Sequence, residues 1–228
     1  MNRIVIAIDG YSGCGKSSTA KAVAKALGYT YIDSGAMYRA ATLHFLNNLT
    51  VLTNPKEVAK AIETMHITFQ VNPDNNKQEA YLNGLNVEKE IRKMRVSEYV
   101  SEVSKIKEVR QELVAQQKKL GKKKGVVMDG RDIGTVVFPE AELKVFMTAD
   151  IKIRAERRQK EILEKGELIG LEKIIHNLGE RDRIDSSREE SPLRKAEDAI
   201  EIDTSYLDFE SQVNQIVSLA KEILAEKV

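Results

Sequence analysis

Apolar positions along this chain come in short blocks whose period switches between that of a buried strand and that of a helix. Arg3-Ile4-Val5-Ile6-Ala7-Ile8 is a continuous, mostly β-branched run, the pattern of a strand covered on both faces. Lys16 to Leu27 then repeats Ala and Val at helical spacing, so a strand, a glycine-rich turn and a helix follow in order. Tyr29 to Asp33 predicts a second short strand. Ser34-Gly35-Ala36-Met37-Tyr38-Arg39 opens a helix to about Leu46, with Ser34 as its N-cap. Pro55 to Met65 places Val58, Ala59 and Ile62 at helical spacing, with proline in the first turn, where its missing N–H is harmless.

At His66 the period changes. His66 to Val71 alternates, Asn72-Pro73-Asp74-Asn75-Asn76-Lys77 is rich in turn formers, and Glu79 to Val87 reads as a second strand, a tight turn and a third. A small antiparallel sheet inserted at 66–92 is the expectation. Ile91 to about Leu120 returns to helix, broken near Ile106, and Gly125 to Asp129 is another buried strand followed by the polar stretch Gly130-Arg131-Asp132-Ile133-Gly134. Leu143 to Ala149 predicts a further strand. Asp150 to Lys165 and Leu171 to about Arg188 predict two charged helices with so little apolar surface that a mobile arm is expected over 154–190. Ala199 to Asp203 is the last strand, and Phe209 to Leu224 an amphipathic helix with Val213, Ile216, Val217, Ala220 and Ile223 on one stripe.

Composition narrows this picture modestly. The 228 residues, 42% of them hydrophobic, suffice for one sizeable core with smaller appendages, and a formal net charge of +1 advertises no nucleic-acid or membrane partner. Lys118 to Lys124 is lysine-rich without interleaved aromatics, as expected of a solvated helix end. The single cysteine, Cys14, cannot form an internal disulfide, no run approaches transmembrane length, and the first residues pattern as a core strand. Cytoplasmic residence and a monomeric state are the expectations.

The chemistry begins at the first turn. Gly10, Gly15, Lys16 and Ser17 occupy the fixed places of G-x-x-x-x-G-K-[ST], between a strand and a helix, where such a loop must lie to bind phosphate. Backbone N–H groups of Gly10, Tyr11, Ser12, Gly13, Cys14 and Gly15, with Lys16, Ser17 and Ser18, are the expected cradle for ATP. A serine hydroxyl there ligates Mg²⁺, and Asp33 and Asp129, ending strands beside the loop, are candidates to hold the ion through water or merely to cap their turns. Cys14 reads either as a redox-sensitive thiol or as a small filler of a variable place. The fold class is therefore α/β: a P-loop core (1–65 and 93–228) with a central parallel sheet flanked by helices, a small antiparallel-sheet insert (66–92), and a helical lid within 154–190.

Phosphoryl transfer needs positive charge around the moving group. Arg39 and Arg131 follow strands that end at the ligand face, while Arg154, Arg157, Arg158, Arg181 and Arg188 lie on the predicted arm. Each also has an ordinary reading as a solvated or paired helix residue, with partners such as Glu156 or Asp182. Lys16, Arg131, Arg157, Arg158 and Arg181 are the candidate catalytic group. No Asn-Lys-x-Asp run of the kind that reads guanine in GTPases is present.

Three blocks carry a specific resemblance. Asp9-Gly10-x-Ser12-Gly13-x-Gly15-Lys16, the run Asp33 to Arg39, and the run Asp129 to Pro139 resemble the motif blocks of the bacterial cytidylate kinase family, and the likeness extends over essentially the whole chain. The resemblance implies transfer of the γ-phosphoryl of ATP to CMP or dCMP with Mg²⁺. It also implies that Ser34, Ser101, Arg110, Asp132 and Arg188 surround the cytosine, Arg181 and Asp185 address the sugar, and Arg39 and Arg131 hold the acceptor phosphate. Cytosine presents an amino donor beside acceptors, to which these side chains are complementary. The family often has glycine after the P-loop lysine, whereas this chain has Ser17 and then Ser18, which leaves open which hydroxyl meets the metal. For Arg110 the alternative is the outer face of the 91–120 helix, paired with Glu108 or Glu112. A kinase of another small acceptor, such as a sugar acid, and a P-loop switch protein are the competing classes.

Overall fold

The chain alternates strand and helix as the apolar pattern requires. The computed structural model describes residues 2–72, 77–164 and 166–226. In chain order its first half contains β1 (Val5–Gly10), α1 (Lys16–Leu27), β2 (Thr30–Asp33), α2 (Ser34–Asn47), α3 (Pro55–Glu63), β3 (Ile67–Asn72), β4 (Lys77–Leu82), β5 (Leu85–Asn86), α4 (Met94–Lys105) and α5 (Lys107–Gly121). There follow β6 (Val126–Gly130), β7 (Leu143–Thr148), α6 (Ile151–Leu163), α7 (Leu171–Ser187), β8 (Ile200–Asp203) and α8 (Phe209–Glu226). Two compact units result, one of residues 1–33 and 118–228, the other of 34–117.

The first unit is built on a parallel sheet of order β2-β6-β1-β7-β8. Ile4, Ile6 and Ile8, Val127, Leu143, Val145 and Met147 are buried in one cluster with Ala20, Val23 and Ala24 of α1 and Ile216 and Ala220 of α8. That cluster explains the continuous apolar strands and the narrow stripes of the two helices. Asp33 pairs with Asp129 and Asp9 with Gly130, so β2, β6 and β1 end level. Chain order reverses on either side of β1, and the carboxyl ends there form the crevice in which α/β sheets take ligands.

The second unit holds the antiparallel sheet β3-β4-β5 and a separate core that includes Met37, Leu43, Phe45, Ile91, Val103 and Leu113. Its strands lie within 66–92, but the compact body is wider, taking in α2 to α4 and most of α5. Ile106, extended at φ −68° and ψ 119°, separates α4 from α5 at the anticipated break. Of the anticipated turn at 72–77, residues 73–76 lie outside the described residues, as does Lys165 at the predicted end of α6.

Two local expectations need correction. Ser34 is the first residue of α2 rather than a cap before it, because β2 runs directly into the helix at Asp33. The stretch Gly130 to Gly134 is not simply polar loop: Ile133–Val137 forms one wide turn of π type, too short to show a period in the sequence. In α6, Ala155 and Ile162 are buried, and in α7, Ile174 and Leu178.

Candidate active site

The P-loop conformation depends on two glycines. Gly10 ends β1 at φ +143°, and a Cβ there would stand 2.0 Å from the Met147 carbonyl oxygen of the neighbouring strand. Gly15, at φ +89°, is the left-handed residue immediately ahead of α1, whose N-terminal N–H groups and partial positive charge face the loop. Gly10→Ala is accordingly expected to lose ATP binding and to lower the melting temperature. Calorimetric titration with ATP and a thermal melt check both effects, and intact ATP affinity would refute the steric argument.

Lys16 is buried, and its ammonium donates to the Tyr11 carbonyl at 2.5 Å and lies 3.7 Å from Cys14 Sγ. Burial pushes its pKa below the ordinary lysine range, with Arg131 working in the same direction and the carboxylates of Asp129 and Asp9 opposing. Cys14 is fully buried and its thiol donates to the Tyr11 carbonyl at 3.0 Å, which suits the reading as a small loop filler. Tyr11 is held from two sides. Phe146 meets it edge to face at 5.9 Å, and the Arg154 guanidinium covers the ring at 5.3 Å.

Behind the loop lies a hydroxyl and carboxylate cluster. Ser17 Oγ donates to Asp129 Oδ2 and Tyr31 Oη donates to Asp129 Oδ1, both at 2.8 Å. Asp129 and Asp33 are buried, and burial, reinforced by the charge of Asp33, raises the pKa of Asp129. Burial and the same carboxylates push the Tyr31 phenol upward, which keeps it a donor. Ser17 and Ser18 are both exposed, and of the two it is Ser17 whose hydroxyl is joined to the strand-end carboxylate. Mg²⁺ takes oxygen ligands and uses one or two carboxylates beside substrate phosphates. The Ser17 and Asp129 oxygens fit that demand, and among the described residues no group of three or more His, Cys, Asp or Glu gathers to hold a metal.

The arginines separate into distinct environments. Arg131 Nε donates to Asp185 Oδ2 at 2.8 Å, Arg188 Nη1 lies 3.5 Å from Asp185 Oδ1, and Arg188 Nη2 lies 3.9 Å from Asp132 Oδ1. Charges thus alternate along Arg131, Asp185, Arg188 and Asp132. Burial opposes the charge of Asp185, yet Arg131, Arg188 and Arg181 outweigh it and hold its carboxyl below the usual range. Arg157 donates to the Thr204 carbonyl at 2.5 Å, while Thr204 Oγ1 donates to the Cys14 carbonyl at 2.9 Å, so this arginine braces the back of the P-loop. Arg158 pairs at 3.0 Å with the exposed Glu161. Arg154, outside the candidate catalytic group, is the most engaged of the α6 arginines. It is 5% exposed and donates to the carbonyls of Ala149 and Ser12 and to Asp182 Oδ2, at 3.0, 3.1 and 2.7 Å.

In the second unit, Ser34 and Ser101 are buried and Arg39 is half-buried. Arg110 is only 3% exposed, its guanidinium lies 5.3 Å from the centre of the Tyr38 ring, and Nη1 donates to the Ser104 carbonyl at 3.3 Å. The outer-face alternative for Arg110 is thereby overturned: the Ile106 break turns α5 so that this position faces inward, and Glu108 and Glu112 remain exposed or half-buried on other faces. Tyr31 is not singled out by the sequence; Asp9 opens the first motif block and Arg154 is one of the arm arginines weighed for function, but neither is assigned a role there.

Comparison with known proteins extends these observations. The cytidylate kinase family profile matches residues 6–222. The cytidylate kinase of Cytophaga hutchinsonii is 58% identical, covering 96% of this chain and 94% of its own. Those of Bacteroides fragilis and Flavobacterium psychrophilum are 52% and 51% identical, covering 93% and 98% of this chain and 94% and 100% of their own. An uncharacterized protein from Eubacterium ventriosum shares the fold alone, with a TM-score of 0.51 and 11% identity over 97% of this chain and 99% of its own. With a family match over most of its length and relatives of this closeness, the chain belongs to the cytidylate kinase family.

Proposed function

We propose that this chain transfers the γ-phosphoryl group of ATP to CMP or dCMP, giving ADP and the cytidine diphosphate. The observation that carries the donor side is the phosphate cradle ahead of α1, with Ser17 hydrogen-bonded to the buried Asp129. Membership of the family carries the acceptor side. Lys16 exchanges its bond to the Tyr11 carbonyl for the outer phosphates of ATP, and N–H groups from Gly10 to Ser18 hold the rest of the chain of phosphates. Ser17 would ligate Mg²⁺ directly and Asp129 and Asp33 would hold it through water, and the ion would supply positive charge against that of the donor phosphates.

Ser34, Ser101, Arg110, Asp132 and Arg188 read the cytosine edge by hydrogen bonds, in keeping with a chain that has no tryptophan and only 5% aromatics. Arg181 and Asp185 address the sugar, and Arg39 and Arg131 the acceptor phosphate. Arg157, Arg158 and Arg181 join Lys16 and Arg131 around the moving phosphoryl group. For Arg158 this means leaving Glu161, an exposed partner whose loss costs little. The reaction needs no covalent enzyme intermediate. One cysteine supports a reducing, cytoplasmic setting and a near-neutral net charge supports the lack of a nucleic-acid or membrane partner; no helix among the described residues is long and apolar enough to cross a membrane.

A coupled assay for ADP with CMP, dCMP, UMP, AMP and shikimate as acceptors tests the reading. CMP and dCMP should be preferred, and a preference for AMP or shikimate would refute it. Arg131→Ala is expected to raise the KM for CMP far more than that for ATP. Because the change strips Asp185 of its hydrogen-bonded arginine, some thermal stability should be lost too. Equal losses for both nucleotides would assign Arg131 to the shared transition state or to the scaffold.

A further inference from the structure

Asp9 stands between the last apolar residue of β1 and Gly10, and its side chain is buried. Oδ1 accepts the N–H of Ile133 at 2.8 Å and Oδ2 accepts that of Gly134 at 2.7 Å. The two oxygens thus grip consecutive donors at the opening of the 133–137 turn. Neither side of this clamp has slack. Gly10 is locked against Met147, and a Cβ on Gly134 would meet Lys144 Cδ at 3.2 Å and Asp9 Oδ2 at 3.4 Å. Burial pushes the Asp9 carboxyl up to about 7, with Asp132 adding to the rise and the two N–H bonds and Lys16 opposing it. A buried carboxylate works against folding, so stability alone does not account for one here.

The residue gripped first, Ile133, directly follows Arg131 and Asp132. Fixing the N–H groups of 133 and 134 fixes the backbone from which Asp132 projects toward Arg188, at 3.9 Å, and from which Arg131 reaches Asp185. We propose that Asp9 is a positioning residue that couples the donor loop to the acceptor loop, setting Asp132 for base recognition without touching either nucleotide. The proposal rests on the assignment of Arg131 and Asp132 to the acceptor.

The test is steady-state kinetics of Asp9→Asn. Asparagine keeps one oxygen acceptor but turns an N–H₂ group toward the other backbone donor, so the turn is released on one side. The KM for CMP should rise by about tenfold or more, and the preference for CMP over UMP should fall, with the KM for ATP held within about twofold. An unchanged CMP KM and preference overturns the proposal. So does an equal rise for both substrates, which would make Asp9 a part of the P-loop scaffold. Asp132→Asn, measured in parallel, separates the two levels: if it leaves CMP recognition intact, the acceptor assignment itself fails, whereas an effect in Asp132→Asn without one in Asp9→Asn removes only the positioning role. Should Asp9→Asn not fold, Gly134→Ala crowds the same turn, its Cβ meeting Lys144 Cδ at 3.2 Å and Asp9 Oδ2 at 3.4 Å. The same split, smaller in size, is expected there, and unaltered CMP kinetics in that folded variant overturns the proposal.

Discussion

Lys16→Met reduces turnover by about 10²–10³-fold or more while the protein stays folded, because the ammonium is one of the preorganised charges on which phosphoryl transfer depends. The structural side of this expectation follows from burial. Lys16 is 5% exposed, and its pKa is lowered by that burial, so its charge is held at a cost to the fold. Methionine matches its stem as far as Cε and fills most of the same space. What is lost is the charge-assisted bond to the Tyr11 carbonyl, about 1.5–3 kcal/mol, against which stands the removal of a poorly solvated charge. The melting temperature should therefore change little in either direction. A coupled assay under saturating ATP and CMP, beside a thermal melt, separates the two effects. Full turnover in the folded variant would take the P-loop out of the mechanism, and a collapse of stability would show that Lys16 is part of the core.

The contrast between Lys16 and the lid arginines shows where sequence reading succeeds. A motif with fixed spacing, bounded by a β-branched run and an alanine-rich helix, specifies both the loop and its place in the sheet. Local information suffices there, because the strand, the glycines and the helix start are all contiguous. The break at Ile106 and the antiparallel strands around 67–86 were legible for the same reason. The five-residue turn after Asp132 was not, since it is made by a carboxylate 124 positions away rather than by its own period. Arg154 and Arg158 look alike on one charged helix. Tertiary contacts alone distinguish the arginine that is sealed against Tyr11, Ser12 and Asp182 from the one that meets an exposed glutamate. A change of period at His66 marks where strands begin, whereas the second compact unit starts at Ser34, inside a motif that reads as one piece.

Arg110 is the residue at which sequence reading left two answers and the structure removes one, and its replacement discriminates most sharply between a cytosine-reading enzyme and any other P-loop kinase. At 3% exposure it cannot be a solvated helix residue paired across one turn, so the few tenths of a kcal/mol expected of such a pair no longer apply. Its guanidinium lies over Tyr38, and one nitrogen donates to the Ser104 carbonyl. Arg110→Met preserves the aliphatic stem and its packing while deleting every donor. Stability loses the ring contact and the carbonyl bond, on the order of 1–3 kcal/mol together, partly offset because no charge need be buried. Acceptor recognition loses a charge-assisted hydrogen bond of ~1.5–3 kcal/mol, which corresponds to roughly a 10- to 150-fold rise in the KM for CMP. A site built to bond a polar edge rejects analogues that leave its groups unpaired, so the preference for CMP over UMP should erode in step. The KM for ATP should barely move. Steady-state kinetics with CMP and UMP at saturating ATP decides the matter: an unchanged CMP KM with unchanged pyrimidine preference would reduce Arg110 to a buried structural cation, leaving the P-loop chemistry untouched and the base assignment without its central donor.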